Sequence, residues 1–287
     1  MLQNRATLKH IRIHLLKELR QIYAENESDA ISRLVMEHAG YPLSTSLRDP
    51  DHIPGAAVVA QIKAIIAEIR SGLPVQYILG QTYFCDLTIK VNKHVLIPRP
   101  ETEEMVEHIK AMSQDPFQRI IDLGTGSGCI ALALKHYFPD AEVWGVDISR
   151  EALLVAAENG RNNKLGVIWG YLDLLNMHPG DQWEGFNLVV SNPPYVLNRE
   201  RIFMAPHVLD HEPESALFVK DDDDPLSFYR AIATFCRLHL AEKGELWVEI
   251  NETLGKESAS LFKKEVFSEV RILRDIHEKE RYIYARR

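Results

Sequence analysis

From residue 119 onward the chain alternates short apolar runs with amphipathic helical ones, and no other feature narrows its fold as far. "RIIDL" leads through "GTGSG" into the helical "CIALALKHYF", and "AEVWGVD" leads into "SREALLVAAENGRNN", with Ser149 placed as its N-cap. "VIWGYLD" and "FNLVVS" read as two more strands. "PLSFYRAIATFCRLHL" is a helix, "GELWVEI" a strand and "GKESASLFKKE" a helix, after which "VRILRDIH" and "RYIYAR" can pair as a hairpin. Parallel neighbours need a long crossover, and these helices supply it, so the pattern predicts an α/β domain with a mainly parallel sheet covered on both faces. With 46% apolar residues in 287, the chain has the material for a substantial core.

The upstream third has a different texture. "ATLKHIRIHLLKELRQIY" sets Leu8, Ile11, Leu15, Leu19 and Ile22 at three- and four-residue spacing, an amphipathic stripe. "SDAISRLVMEHAG" predicts a helix from an N-cap at Ser28 to a stop at Gly40, and "AAVVAQIKAIIAEIRSG" one ending at Gly72. Then "TYFCDLTIKVNKHVLI", β-branched and aromatic, predicts a hairpin or a pair of short strands around the turn-like "VNKH". In "PRPETEEMVEHI", Pro98 and Pro100 enforce an extended entry to a helix with an acidic first turn. The expected organisation is a helical bundle over residues 1–78, a β-hairpin linker over 79–97 and the α/β domain over 98–287.

Charge and cysteine usage exclude some functions. The net charge is −8, and it is uneven: residues 1–95 hold 11 Lys+Arg against 9 Asp+Glu, the rest 22 against 32. A +2 helical region beside an acidic remainder lacks the basic footprint of a nucleic-acid reader. No run of about 18 apolar residues suggests a membrane span, and charges interrupt the first residues where a signal peptide would be apolar. Three widely spaced cysteines (Cys85, Cys129, Cys236) suit a reduced, cytoplasmic protein.

"DLGTGSG" stands between a strand and a helix, where open α/β sheets bind ligands. Its glycines permit a tight turn and close approach to a helix N-terminus. The G-x-G-x-x-G fingerprint of dinucleotide binding would need glycine where Cys129 stands, and no Lys-Ser or Lys-Thr follows to make a P-loop. The remaining pattern (Gly124, Thr125, Gly126, Ser127, Gly128) resembles the S-adenosylmethionine (SAM) loop of Rossmann-like methyltransferases. Asp147 ends the second strand, where its carboxylate can accept from ribose hydroxyls. Asp173 ends the third and can accept from an adenine amino group, with Leu174 against the ring; a strand-end aspartate also serves as a helix cap.

The fourth strand ends in "SNPPY". Prolines terminate strands, so a stiff turn would explain them. The same four residues suit methyl transfer to a nitrogen conjugated to a π-system, whose delocalised lone pair makes it a poor nucleophile. Such a nitrogen must be held in line and its hydrogens accepted as charge builds. Asn192 supplies a side-chain carbonyl beside the cofactor, Pro193 a backbone carbonyl with no N–H of its own, Pro194 a fixed turn and Tyr195 a ring face. Adenine and a carboxamide both satisfy this chemistry. His207 and His211, four apart in "PHVLDHEP", read as polar loop residues without a third ligand cluster, so no metal is expected.

Nearly the whole chain resembles the release-factor glutamine methyltransferases (the PrmC, or HemK, family): the helical N-terminal region, "PVQYILGQTYFCDLTIKV", "VLIPRPETEEMVE", "IDLGTGSGCIALAL", "VSNPPYV", "HEPESALF" and "FYRAI". The resemblance implies a Rossmann-like SAM-dependent methyltransferase sheet with a small N-terminal helical bundle joined by a β-hairpin. It implies methyl transfer from SAM to the glutamine of the Gly-Gly-Gln loop of peptide-chain release factors, with no membrane or direct nucleic-acid partner. Residues 124–128 would contact the methionine part of SAM, Asp147 the ribose and residues 192–195 the glutamine amide. Pro100, Glu101 and Thr102 would lie near the site's mouth. A ribosomal-protein glutamine methyltransferase is the near alternative, an adenine amino methyltransferase the farther one. Two departures stand out: "VKDDDDPL" replaces a glycine-containing stretch and reads as a solvated loop, and Leu174 stands where some members carry tryptophan.

Overall fold

The computed structural model describes residues 6–113, 116–177, 183, 185–219 and 224–287. They fall into two compact units, Met1–Gly80 with Pro206–His211, and Gln81–Ala205 with Glu212–Arg287. The short helix Pro206–His211, drawn from the middle of the sequence, thus groups with the N-terminal helices; the segment read as a loop is helical, with His207 edge-on to Tyr23 at 5.9 Å.

In the first unit, helices Leu8–Leu19, Glu25–His38 and Ala56–Arg70, with short helices Leu43–Arg48 and Val75–Leu79, close on one apolar core. The 3.6-residue period turns Leu8, Ile11, Leu15 and Leu19 inward, against Ile31, Val35, Ile62 and Ile66. Ile22 leaves this stripe, because the helix has ended at Leu19 and the side chain is exposed. The second helix also begins earlier than its serine suggested. Ser28 lies inside it, fully buried, its hydroxyl donating to the Tyr23 carbonyl, while Glu25 and Glu27 occupy the first turn.

The second unit opens with a hairpin of β1 (Gln81–Phe84) and β2 (Leu87–Lys90). Its turn is at Cys85 and Asp86, not at "VNKH". Both have positive φ (47° and 62°), as a two-residue hairpin turn requires, and the Cys85 N–H is held by Glu103 Oε1 at 2.8 Å.

Among the described residues, seven further strands form the main sheet: β3 (Arg119–Leu123), β4 (Glu142–Asp147), β5 (Ile168–Tyr171), β6 (Phe186–Ser191), β7 (Leu240–Glu249), β8 (Glu269–Arg274) and β9 (Glu280–Arg286). Their order is β5-β4-β3-β6-β7-β9-β8; β3 to β7 pair in parallel, and β9 runs antiparallel to both β7 and β8. Alternation along each strand serves both faces. Leu246 and Val248 join Ile121, Leu123 and Val189 against Ile232, Phe235 and Phe262 of helices Ser227–His239 and Gly255–Lys263. Trp247, between them, stacks on His108 of helix Pro100–Met112. Strand order reverses between β3 and β6, so the crevice beyond their carboxyl ends is where this topology binds ligands.

Candidate active site

Four successive strand ends meet at that crevice, in a cavity of about 280 Å³. The loop after β3 contributes Gly124, Thr125, Gly126 and Ser127; the end of β4 contributes Asp147 and Ile148. Asp173 and Leu174 come from beyond β5, and Asn192, Pro193 and Pro194 from beyond β6. Gly128 turns the chain into helix Cys129–Tyr137 without lining the cavity.

The glycine loop has two physical requirements. Gly124 and Gly126 have φ of +76° and +53°, and a Cβ on either would meet no atom within 4 Å, so their surroundings are open on the cavity side. Gly128 (φ +82°) is crowded: a Cβ would come within 2.8 Å of the Trp169 ring and 3.0 Å of Ala156. The loop is tied from both sides. Thr125 Oγ1 donates to Asp122 Oδ2 at 2.5 Å, and Asp122 is fully buried; burial pushes its carboxyl up to about 7, against the pull of that hydroxyl. Asp147 accepts the Gly126 N–H on Oδ2 and the Ser149 N–H on Oδ1, each at 2.8 Å. Burial raises the Asp147 carboxyl too, and these N–H donors oppose the rise. Each oxygen keeps a lone pair for a further donor. Asp173 serves as a cap, accepting from Leu175 N at 3.2 Å and Asn176 Nδ2 at 2.9 Å, while still lining the cavity. Ile148, half-exposed at the cavity edge beside Leu174, is an apolar wall that no sequence motif marked.

Several hydrogen bonds fix the end of strand β6. Ser191 Oγ, fully buried, donates to the Leu123 carbonyl at 2.7 Å and so joins the ends of β3 and β6. Asn192 Nδ2 donates to Thr102 Oγ1 at 2.9 Å, and Thr102 Oγ1 donates to Glu249 Oε2 at 2.7 Å. Tyr195 does not line the cavity. Its hydroxyl donates to Glu249 Oε1 at 2.7 Å and its ring packs with the core, so the ring face expected for a planar substrate is turned elsewhere.

Of the "PRPETE" residues, Pro98, Arg99 and Thr102 line the cavity; Pro100 starts the helix at N1, and the Glu101 carbonyl accepts the Tyr282 hydroxyl at 2.7 Å. Glu212, from "HEPES", is 4% exposed and accepts from Ile97 N at 3.0 Å and Arg99 Nη2 at 2.6 Å, which pins this wall. Sequence reasoning missed Arg99, Glu212 and Glu249. A lone carboxylate ending an apolar run, as in "LWVEI", was the available signal for Glu249, the same signal that marked Asp147. Among the described residues no group of three or more His, Cys, Asp or Glu could hold a metal, and no helix is long and apolar enough to cross a membrane. Of the acidic run, residues 221–223 lie outside the described residues, and Asp224 pairs with Arg230.

Comparison with known proteins agrees with this geometry. Residues 101–217 match the methyltransferase small domain and residues 11–80 the PrmC N-terminal domain. A release factor glutamine methyltransferase of Bacteroides thetaiotaomicron is 37% identical over 98% of this chain and its own whole length. One of Flavobacterium psychrophilum is 36% identical over 96% of this chain and 98% of its own. A methyltransferase structure from Pyrococcus furiosus shares the fold, with a TM-score of 0.52 at 16% identity over 70% of this chain and 88% of that one. Sheet order, strand-end cavity and these likenesses define an enzyme of the Rossmann-like methyltransferase class. Within that class, the chain belongs to the release factor glutamine methyltransferase family.

Proposed function

We propose that this enzyme transfers a methyl group from SAM to the side-chain amide nitrogen of the glutamine in the Gly-Gly-Gln loop of peptide-chain release factors. The observation that carries this reading is the convergence of the glycine loop, Asp147 and Asn192-Pro193-Pro194 on one cavity at successive strand ends. Residues 124–127 and Asp147 would hold the donor, with Gly128 shaping the turn behind them and Asp173, Leu174 and Ile148 toward its base; the open space over Gly124 and Gly126 fits a group approaching the backbone. SAM supplies an activated sulfonium methyl.

The remaining work falls to the protein. Asn192 accepts from the amide N–H₂ and keeps it in line, Pro193 adds a carbonyl, and Pro194 fixes the turn that presents both. Tyr195 contributes as a brace through Glu249. The proton lost from nitrogen leaves to water, so no strong base is needed. The domains are read as a release-factor-recognising N-terminal unit and a methyltransferase unit, supported by the PrmC N-terminal match. Three free, buried cysteines suit work in the reducing cytoplasm.

Purified enzyme with labelled SAM is expected to methylate a release factor and to leave its Gln→Ala form in the Gly-Gly-Gln loop unlabelled. Equal labelling of the two would overturn the assignment. Asn192→Ala is expected to keep SAM affinity within a few-fold and to lose most turnover; collapsed SAM binding with surviving turnover would make the motif a cofactor element.

A further inference from the structure

We infer that Thr102 and Glu249 are positioning residues, a hydrogen-bond relay that fixes the Asn192 amide with its nitrogen inward and its carbonyl oxygen free for the substrate. The inference rests on the reading of Asn192 as the acceptor for the methylated amide.

A carboxamide has nearly the same shape in either flipped state, so packing alone does not choose which end faces the cavity. The choice has to come from a partner of fixed polarity. Burial raises the Glu249 carboxyl, and the hydrogen bonds donated by the Thr102 and Tyr195 hydroxyls oppose the rise; once ionised, the carboxylate is acceptor-only and so provides that polarity. Glu249 ends β7 with 1% exposure and stands between two hydroxyls: Tyr195 donates to Oε1 and Thr102 to Oε2, both at 2.7 Å. A threonine hydroxyl has one proton. With that proton committed to Glu249, Thr102 Oγ1 can only accept from Asn192, and it does so from Nδ2 at 2.9 Å. Thr102 is itself 2% exposed, so solvent offers no alternative donor or acceptor. The amide is left with Oδ1 as its unused acceptor, on a residue that lines the cavity.

The relay also explains the fourth residue of the motif. Asn192 and Tyr195 lie three apart, and both are tied to the same carboxylate, one through Thr102 and one directly. Asn251, two residues beyond Glu249, donates to the Tyr195 carbonyl at 3.2 Å and closes the frame. "NPPY" is thereby clamped at both ends to the end of β7, and the helix that starts with "PET" supplies the hydroxyl between them.

Thr102→Val keeps the shape and removes the hydroxyl, whereas Thr102→Ser keeps the hydroxyl. Losing a preorganised orienting bond is expected to lower kcat about 10²-fold in the valine variant, with the SAM dissociation constant within about threefold. The serine variant is expected within about fivefold of wild type, and Thr102→Val is expected to add less than about twofold in an Asn192→Ala background. Glu249→Gln is expected to lower kcat at least about tenfold, with a further Thr102→Val costing less than it does alone. A readout independent of activity is the Asn192 side-chain amide pair in 1H–15N spectra, assigned by its disappearance in Asn192→Ala. Its exchange with water should be slow in wild type and Thr102→Ser and fast in Thr102→Val. Additive losses in either background, a serine variant as poor as valine, or an unchanged amide exchange rate would overturn the relay. A wild-type enzyme inactive on release factors would instead overturn the substrate reading, and the exchange measurement would still decide the relay.

Discussion

One carboxylate oxygen of Asp147 accepts the backbone N–H of Gly126 at 2.8 Å, so the residue proposed to hold the ribose also holds the loop proposed to hold the methionine end. Two parts of one binding site are therefore coupled through a single side chain. Asp147→Ala removes both the acceptor and the brace. A hydrogen bond to a charged group contributes about 1.5–3 kcal/mol, which is about 10–100-fold in affinity. Titration calorimetry of SAM against the alanine variant is expected to show at least the lower figure. Asp147→Asn keeps one acceptor but turns an N–H₂ toward a backbone N–H, and is expected to recover only part of the loss.

The coupling also shows which parts of the site were legible in sequence. The glycine loop could be read because Gly124, Gly126 and Gly128 all have positive φ, a local demand that selects a residue type. Asp147 and Asn192 could be read because each ends an apolar strand. Thr102, Glu249 and Asn192 meet across separations of 90 and 147 residues, and no local pattern records such a meeting. The hairpin turn was misplaced for a related reason. Cys85 and Asp86 take positive φ with no glycine present, held by tertiary contact with Glu103, whereas "VNKH" has the commoner turn composition. Helix ends shifted by a few residues where a serine proved to be a buried core residue, as Ser28 did.

Gly124→Ala and Gly128→Ala should separate binding from packing. Both force an L-residue to positive φ, at about 1–2 kcal/mol. At Gly124 the added methyl meets nothing within 4 Å, so stability should fall by that amount alone while SAM affinity drops. At Gly128 the methyl meets Trp169 and Ala156, adding about 1–3 kcal/mol of overpacking. Urea denaturation of the two apo-proteins, with SAM titration of each, is expected to rank Gly128→Ala as the less stable. Gly124→Ala should show the larger affinity loss relative to its stability loss.

Asp122 sets an expectation for pH. Its carboxyl is raised by burial from 3.8 to about 7 in the folded chain. Between those values the folded state holds a proton that the unfolded state has released, so stability falls as pH rises through that window. Asp147 and Glu249, also raised by burial, act in the same direction. Thermal melts of the apo-protein should therefore show a higher Tm near pH 5 than near pH 8 from these groups. Asp122→Asn, which keeps an acceptor for Thr125, should reduce that slope without abolishing it.

Asn159 should prove a structural keystone for the loop although it does not itself line the cavity. It is fully buried in helix Arg150–Asn163, where an asparagine would ordinarily face water. Its Oδ1 accepts from Lys90 N at 2.7 Å, and its Nδ2 donates to the carbonyls of Lys90 at 3.0 Å and Ser127 at 2.9 Å. One side chain thus satisfies the edge of β2 and the back of the glycine loop. Asn159→Ala strands three backbone groups, and the cost is expected at about 2–4 kcal/mol. A fall in the urea midpoint, with faster exchange of the Lys90 amide, would record it. Asn159→Asp keeps the bond to Lys90 N but sets a carboxylate against two carbonyl oxygens. It is therefore expected to be no more stable than alanine above the titration of the carboxylate, and to improve on acidification as the acid regains a donor.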